Sequence, residues 1–313
     1  MKKYLNIHLW FILWIGWSPL YLPAQVDKYM EAIDCYQKKD FACAKSKIDE
    51  VVLHPETKEE PAAWTIKAYV YFQFFKNYEI NNRFSKYRQE AIDAIKKSES
   101  LSPDLDTKEQ NKKLLKIIAE SFYNQIKIHL YDSLNYNACL ELYNNYKNIY
   151  ITYDPNIDFK NKDIEFYLSV GGQFVSTIKQ IFDLNKDVDE STFNKYTEFA
   201  KISFNKVLEL DPNNVSALEG LAITYYNQGA HIIKSMSFDI PIEQIEQMQD
   251  KSVKYLKQAL PYMQKAYELK PNDPNIVEGL TGIYYALHDN EKHLEYLKKL
   301  EKLKKEKKII YLK

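Results

Sequence analysis

The best-spaced oxygen ligands in the chain are Asp183, Asn185, Asp187 and Asp189, at alternating positions of one short segment. Carboxylate and amide oxygens in that pattern can surround a calcium ion. A calcium loop also needs Gly at its sixth position for the turn and Glu at its twelfth as a bidentate ligand. Val188 and Asn194 stand there, so the segment reads as a solvated polar turn. The histidines offer no better site. His288 and His293 miss the helical spacing of a zinc motif, and His54, His129 and His231 stand alone. There is no Gly-x-Ser-x-Gly elbow and no glycine-rich phosphate loop. Acid pairs such as Glu59-Glu60 fall on boundary turns, where solvation is the default. No catalytic residue, cofactor-binding residue or metal ligand is assigned, no cofactor is expected, and the chain reads as a non-enzyme.

The cysteines carry a different chemistry. Cys35 and Cys43 flank Gln37-Lys38-Lys39-Asp40, the expected turn of a first helical hairpin. They sit at similar distances from it, so a disulfide clasping the hairpin is geometrically open to them. The alternative is two small buried apolar residues, and Cys139 reads as packing alone. Oxidation depends on compartment. The first 24 residues bear on that: Lys2 and Lys3 precede an apolar run from Leu9 to Trp17, and Leu22-Pro23-Ala24 leads into Gln25. This is the layout of a secretory signal peptide over residues 1–24, cleaved after Ala24. An uncleaved anchor is the alternative, since Tyr4 to Leu22 is nearly long enough to span a bilayer. The expected protein is exported, periplasmic or envelope-associated, with no stable membrane insertion once cleaved. Loss of the two lysines takes its net charge from +0 to about −2.

Chemistry being sparse, the elements themselves hold the information. Lys+Arg and Asp+Glu are equal at 43 each, so no global charge recruits nucleic acid. The low count of 7 Gly and 11 Pro in 313 residues argues against a turn-punctuated β protein. The segment Phe204-Asn-Lys-Val-Leu-Glu-Leu-Asp-Pro-Asn-Asn returns as Met263-Gln-Lys-Ala-Tyr-Glu-Leu-Lys-Pro-Asn-Asp. Each copy is an amphipathic helix closed by a Pro-Asn turn, and repetition at this scale means stacked helical units. The 26 Tyr and 15 Phe read chiefly as interior bulk between such units.

Small and bulky residues recur in order. Trp64, Ala68 and Tyr71 are answered by Ala91, Ile95 and Pro103. Tyr167, Gly171 and Phe174 are answered by Ala200, Phe204 and Pro212. Leu218, Ala222 and Tyr225 are answered by Ala259, Met263 and Pro271. Ala32 with Phe41, Ala44 and Ile48 gives a first unit. Leu115, Ala119 and Phe122 with Ala138 and Leu142 give a weaker one, and Val277, Thr281 and Tyr284 with His293 and Leu297 a last. This pattern resembles the tetratricopeptide repeat, whose small residues let two helices approach and whose large ones fill the groove beside them. The resemblance implies an all-α, right-handed superhelix of about six hairpins in one domain over residues 25–313. Its units would be 26–57, 61–105, 112–150, 164–213, 215–272 and 274–308.

The family keeps the two small positions 12 apart, as do Ala32/Ala44 and Thr281/His293. The inner units stretch that interval to 23, 19, 29 and 37. All the extra length therefore falls between the two helices of a unit, predicting elongated hairpins. Their turns would lie at Asn81-Asn82, 132–135, 183–190 and 235–241. Ser191 and Asp239 are expected caps, with Pro241 in a first helical turn. Insertions gathered on one edge either form a binding face or merely thicken the stack. The final segment, Glu291 to Lys313, carries nine Lys against four Glu. It reads as a polar capping helix, with docking to an anionic surface as the alternative.

The resemblance implies a non-catalytic scaffold that cradles a protein or peptide segment in its concave groove. Partner-binding candidates on the first helices of the units are Lys67, Tyr71, Gln73, Gln173, Asn227 and Gln228. An alternative is an envelope component binding glycans or nutrients, with Phe74, Phe75, Tyr78 and Phe238 at the hairpin tips stacking on sugar rings.

Overall fold

A computed structural model describes residues 24–184, 189–237 and 239–310. Residues 1–23, with nearly all of the expected signal peptide, and Phe238 lie outside the described residues. Every regular element among the described residues is helical. The chain divides into two compact units, the first ending at Ile118 and the second beginning at Ala119.

The first unit opens with α1 (Ala24–Gln37) and α2 (Phe41–Leu53), joined by a tight turn in which Lys39 takes φ 62°. Asp40 caps α2 by accepting from the Cys43 backbone N–H at 3.0 Å. Across that turn the structure joins the sulfurs of Cys35 and Cys43, with Cα atoms 5.7 Å apart. Then come α3 (Pro61–Tyr78) and α4 (Lys86–Ser100), which pack together, α3 also lying on α2. Pro61 starts α3 where its missing N–H costs nothing. The long α5 (Leu105–Tyr131) contributes its first half here. Thr65 of α3 donates to the Asn111 amide oxygen at 2.7 Å, and the Asn111 amide donates to Ser98 of α4 at 3.0 Å. All three are buried, so one satisfied polar lock ties three helices.

In the second unit the remainder of α5 lies against α6 (Tyr136–Tyr153): Tyr150 donates to Glu120 at 2.8 Å, and the rings of Tyr123 and Tyr146 lie 5.1 Å apart. Three more hairpins follow: α7 (Lys160–Asp183) with α8 (Glu190–Leu210), α9 (Val215–Lys234) with α10 (Ile242–Leu269), and α11 (Pro274–Ala286) with α12 (Asn290–Ile310). The added length of the inner hairpins is helix: α7 to α10 run to 24, 21, 20 and 28 residues, against 14 and 13 in the first hairpin. The Pro-Asn turns end in Asn214, which caps α9 by accepting from Ala217 N–H, and Asp273, which caps α11 by accepting from Asn275 N–H. Two cap assignments need correction. Asp189, not Ser191, caps α8, since its carboxylate reaches both the N–H and the hydroxyl of Thr192. Pro241, not Asp239, occupies the N-cap position of α10, and no side chain caps that helix.

Every alanine assigned to a close-approach position, from Ala32 to Ala259, is fully buried. The tightest approach centres on Phe204 of α8. A Cβ placed on Gly171 of α7 would come 2.8 Å from its ring, and one on Gly220 of α9 would come closer still. The ring fills a notch that two glycines open, one on each side. The device repeats at the next boundary, where Met263 of α10 occupies the space that a Cβ on Gly279 of α11 would need. In both cases the bulky residue precedes the glycine by 16 positions.

Because the Phe204 ring is held from two sides, it cannot retreat from an added methyl. Gly220→Ala is expected to cost about 1–3 kcal/mol through overpacking. Gly172→Ala, next door on α7 but facing open space, should instead gain up to about 1 kcal/mol of helix propensity. Urea melts of the two variants check this, and equal shifts would mean that the notch does not govern the packing.

Candidate binding groove

The six proposed contact residues sit on α3, α7 and α9 as expected, but at different depths. Tyr71 is only 3% exposed, and its hydroxyl donates to Asp49 of α2 at 2.6 and 2.8 Å. The same carboxylate receives Lys45 at 2.8 Å and Lys67 at 3.1 Å. Lys67 also stands 4.8 Å from the centre of the Tyr71 ring. Burial alone would raise the Asp49 carboxyl, yet bonds from Lys45, Tyr71 and Lys67 hold it below the usual value. Burial and the neighbouring Asp49 push the Tyr71 phenol well up. Gln73 donates to the Tyr36 hydroxyl at 3.1 Å. Tyr71 is thus an interior residue that stitches α3 to the preceding hairpin, while Lys67 and Gln73 bond to the same hairpin and stay half-buried.

Gln228 is likewise an interior residue, 5% exposed, donating to Thr197 at 3.3 Å with its amide oxygen buried and unpaired. Gln173 and Asn227 remain half-buried on α7 and α9. Of the aromatic tip residues, Phe75 is buried beneath the Arg88 guanidinium, 4.6 Å from its ring, and cannot serve as a platform. Phe74 and Tyr78 do form an edge with Tyr87, at ring separations of 5.1 and 4.9 Å from Phe74, and Tyr78 is 64% exposed. Cys139 is buried and its thiol is pushed up to about 12, which leaves it inert. Among the described residues no group of three His, Cys, Asp or Glu could hold a metal ion.

An open groove of about 650 Å³ lies in the second unit, in the range of ligand pockets. Helix α9 packs on both α8 and α10, so it forms the floor while its two neighbours form the walls. From α9 the floor takes Leu218 and Tyr225; Leu208 and Pro212 at the end of α8 make one wall. The other is α10, which presents Lys257, Pro261 and Lys265 in line, with Gln258 and Tyr262 beside them. The Tyr225 and Tyr262 rings are nearly parallel, inclined by 10° with centres 6.0 Å apart. Burial pushes the Tyr225 phenol up although Lys201, 5.6 Å from its ring, pulls the other way.

The groove is positive. Lys265 spends one donor on the Pro212 carbonyl at 2.8 Å and makes no ion pair among the described residues. Lys257 is exposed and makes no ion pair among the described residues. No carboxylate lines the groove. Pro261 lies inside α10 and brings no N–H to the carbonyl of Lys257 one turn earlier. Sequence reasoning missed this site. The available signal was the spacing Lys257, Pro261, Lys265, which puts two cations and a helix-interior proline on one face.

No protein-family model matches the chain, and no curated protein matches it. Among solved structures it is similar to a TPR repeats protein from Bacteroides fragilis, at 13% identity and TM-score 0.41, over 83% of this chain and 98% of that one. It is also similar to PilW, a widely conserved type IV pilus biogenesis factor, at 15% identity and TM-score 0.31, covering 90% and 94%. A third is the S. pombe nuclear import adaptor Nro1, at 15% identity and TM-score 0.34, covering 90% and 92%. At such TM-scores these likenesses carry no argument, and the stacked-hairpin assignment stands on the packing described above.

The Asp49 cluster yields a test. Tyr71→Phe removes a hydrogen bond to a charged group and should cost about 1.5–3 kcal/mol. The Asp49 carboxyl is depressed in the folded chain, so its stabilisation is complete above its ordinary value of 3.8 and fades as pH falls through the lower folded value. Denaturation at pH 7 and pH 3 should therefore show Asp49→Asn clearly weaker than the parent at pH 7, with the gap narrowed at pH 3. A gap independent of pH would remove the electrostatic role.

Proposed function

We propose that the chain is a non-catalytic scaffold that binds a protein or peptide segment. The observation that carries this reading is the open, cation-rimmed groove between α8 and α10, formed because stacked hairpins bury their apolar faces on each other and leave concave seams. Its lining pairs apolar floor residues with donors and holds no nucleophile next to a base, which suits recognition better than turnover. Cross-linking in the native cell followed by mass spectrometry tests it: a reproducible protein partner is expected. Capture of no protein at all would overturn it. A second reading, glycan binding, draws on the Phe74, Tyr78 and Tyr87 edge in the first unit, and selective signals on a glycan array would favour it.

Export and signal cleavage belong to the same proposal. They are supported by the charged start, the apolar run and Ala24, and by the adjacency of Cys35 and Cys43, a pairing that persists in oxidising compartments. N-terminal sequencing of the native protein should return Gln25 as first residue. Alkylation after denaturation without reductant should label Cys139 alone. An intact Met1 in the membrane fraction, or three labelled cysteines, would defeat the reading.

A further inference from the structure

The scaffold reading leaves open what the groove between α8 and α10 takes, and its chemistry is specific enough to say. We propose that it binds an extended acidic peptide segment of the pattern Glu-x-Phe-x-Glu, with two carboxylates flanking one large apolar side chain. This rests on the scaffold reading and narrows it to one site and one class of partner.

Charge sets the first requirement. Lys257 and Lys265 face the groove with no carboxylate between them, so the complementary ligand is an anion. The floor sets the second. Leu218 and Tyr225, with the parallel ring of Tyr262 on the wall beside them, offer flat apolar surface, which a free inorganic anion would leave in water.

Spacing sets the third. Residues 257 and 265 are eight apart on a helix that rises about 1.5 Å per residue, so the two lysines leave α10 about 12 Å apart. An extended chain advances about 3.3 Å per residue and turns alternate side chains to the same side. Carboxylates four positions apart therefore span about 13 Å and face the same way, and the side chain midway between them faces that way too. It meets the wall at Pro261, above the tyrosine floor. A nucleic-acid backbone carries a charge at every step, more than two cations eight positions apart can meet.

The test uses the full mature chain and a fluorescein-labelled peptide, Gly-Ser-Glu-Ser-Phe-Ser-Glu-Ser-Gly, followed by fluorescence anisotropy. Saturable binding that weakens with added salt is expected. Lys257→Glu should weaken it at least tenfold and Tyr262→Ala at least fivefold, with circular dichroism unchanged. Lys254→Glu, one turn earlier and outside the groove, should leave it within twofold of the parent. Peptides with Lys in place of Glu, or with Phe moved one position, should bind at least tenfold more weakly. Failure of the acidic peptide to bind, equal binding of the Lys-substituted peptide, or an unchanged affinity in Lys257→Glu would overturn the proposal. Cellular partner capture separates the two levels. Partners retained by Lys257→Glu sink the groove assignment alone, whereas capture of none by the parent sinks the scaffold reading as well.

Discussion

Two helices can lie close only where side chains step aside, and in the second unit that condition is met around Phe204. Gly171 and Gly220 open the space, and the ring fills it from α8. The neighbouring helices are thereby set at a fixed depth on either side of α8, and α9 is then available as a floor between α8 and α10. Had the notch been closed, the seam that becomes the groove would have a different width. Packing at this one ring therefore reaches forward into the geometry of the groove.

Charge is used twice in a related way, with the roles exchanged. In the first unit a carboxylate on α2, Asp49, gathers Lys67 and Tyr71 from one turn of α3. In the second unit a carboxylate at the start of α7, Asp163, gathers Tyr143 at 2.8 Å and Lys147 at 2.8 Å from one turn of α6. Both clusters join the second helix of one hairpin to the first helix of the next. The tyrosine ring supplies buried area and its hydroxyl supplies the bond. At Tyr71 and Tyr143 the residue type is thus explained by interior packing, without exposed recognition.

The hairpins were legible in the sequence because small and bulky residues at helical spacing have one main use, which is to pack. The alanines from Ala32 to Ala259 and the Pro-Asn turns at Pro212 and Pro271 are read directly in that way. Caps were legible only to within a few residues. Asp189 and Ser191 are both capable of capping α8, and the choice depends on where the preceding turn closes. Contact residues were the least legible. Helical period tells which face a residue occupies but not how deeply it sits, so Tyr71 and Gln228 were placed on the right helices and turned out to be interior. The groove was harder still, since its walls come from α8 and α10, which no local pattern links.

The bond between Cys35 and Cys43 closes a short loop at the turn between α1 and α2. These two helices are the shortest pair among the described hairpins, 14 and 13 residues, so their mutual contact is short. A covalent tie across their turn keeps the two helices of that hairpin in register even when their packing loosens. The tie therefore makes α1 and α2 one joined pair, which loosens or holds together.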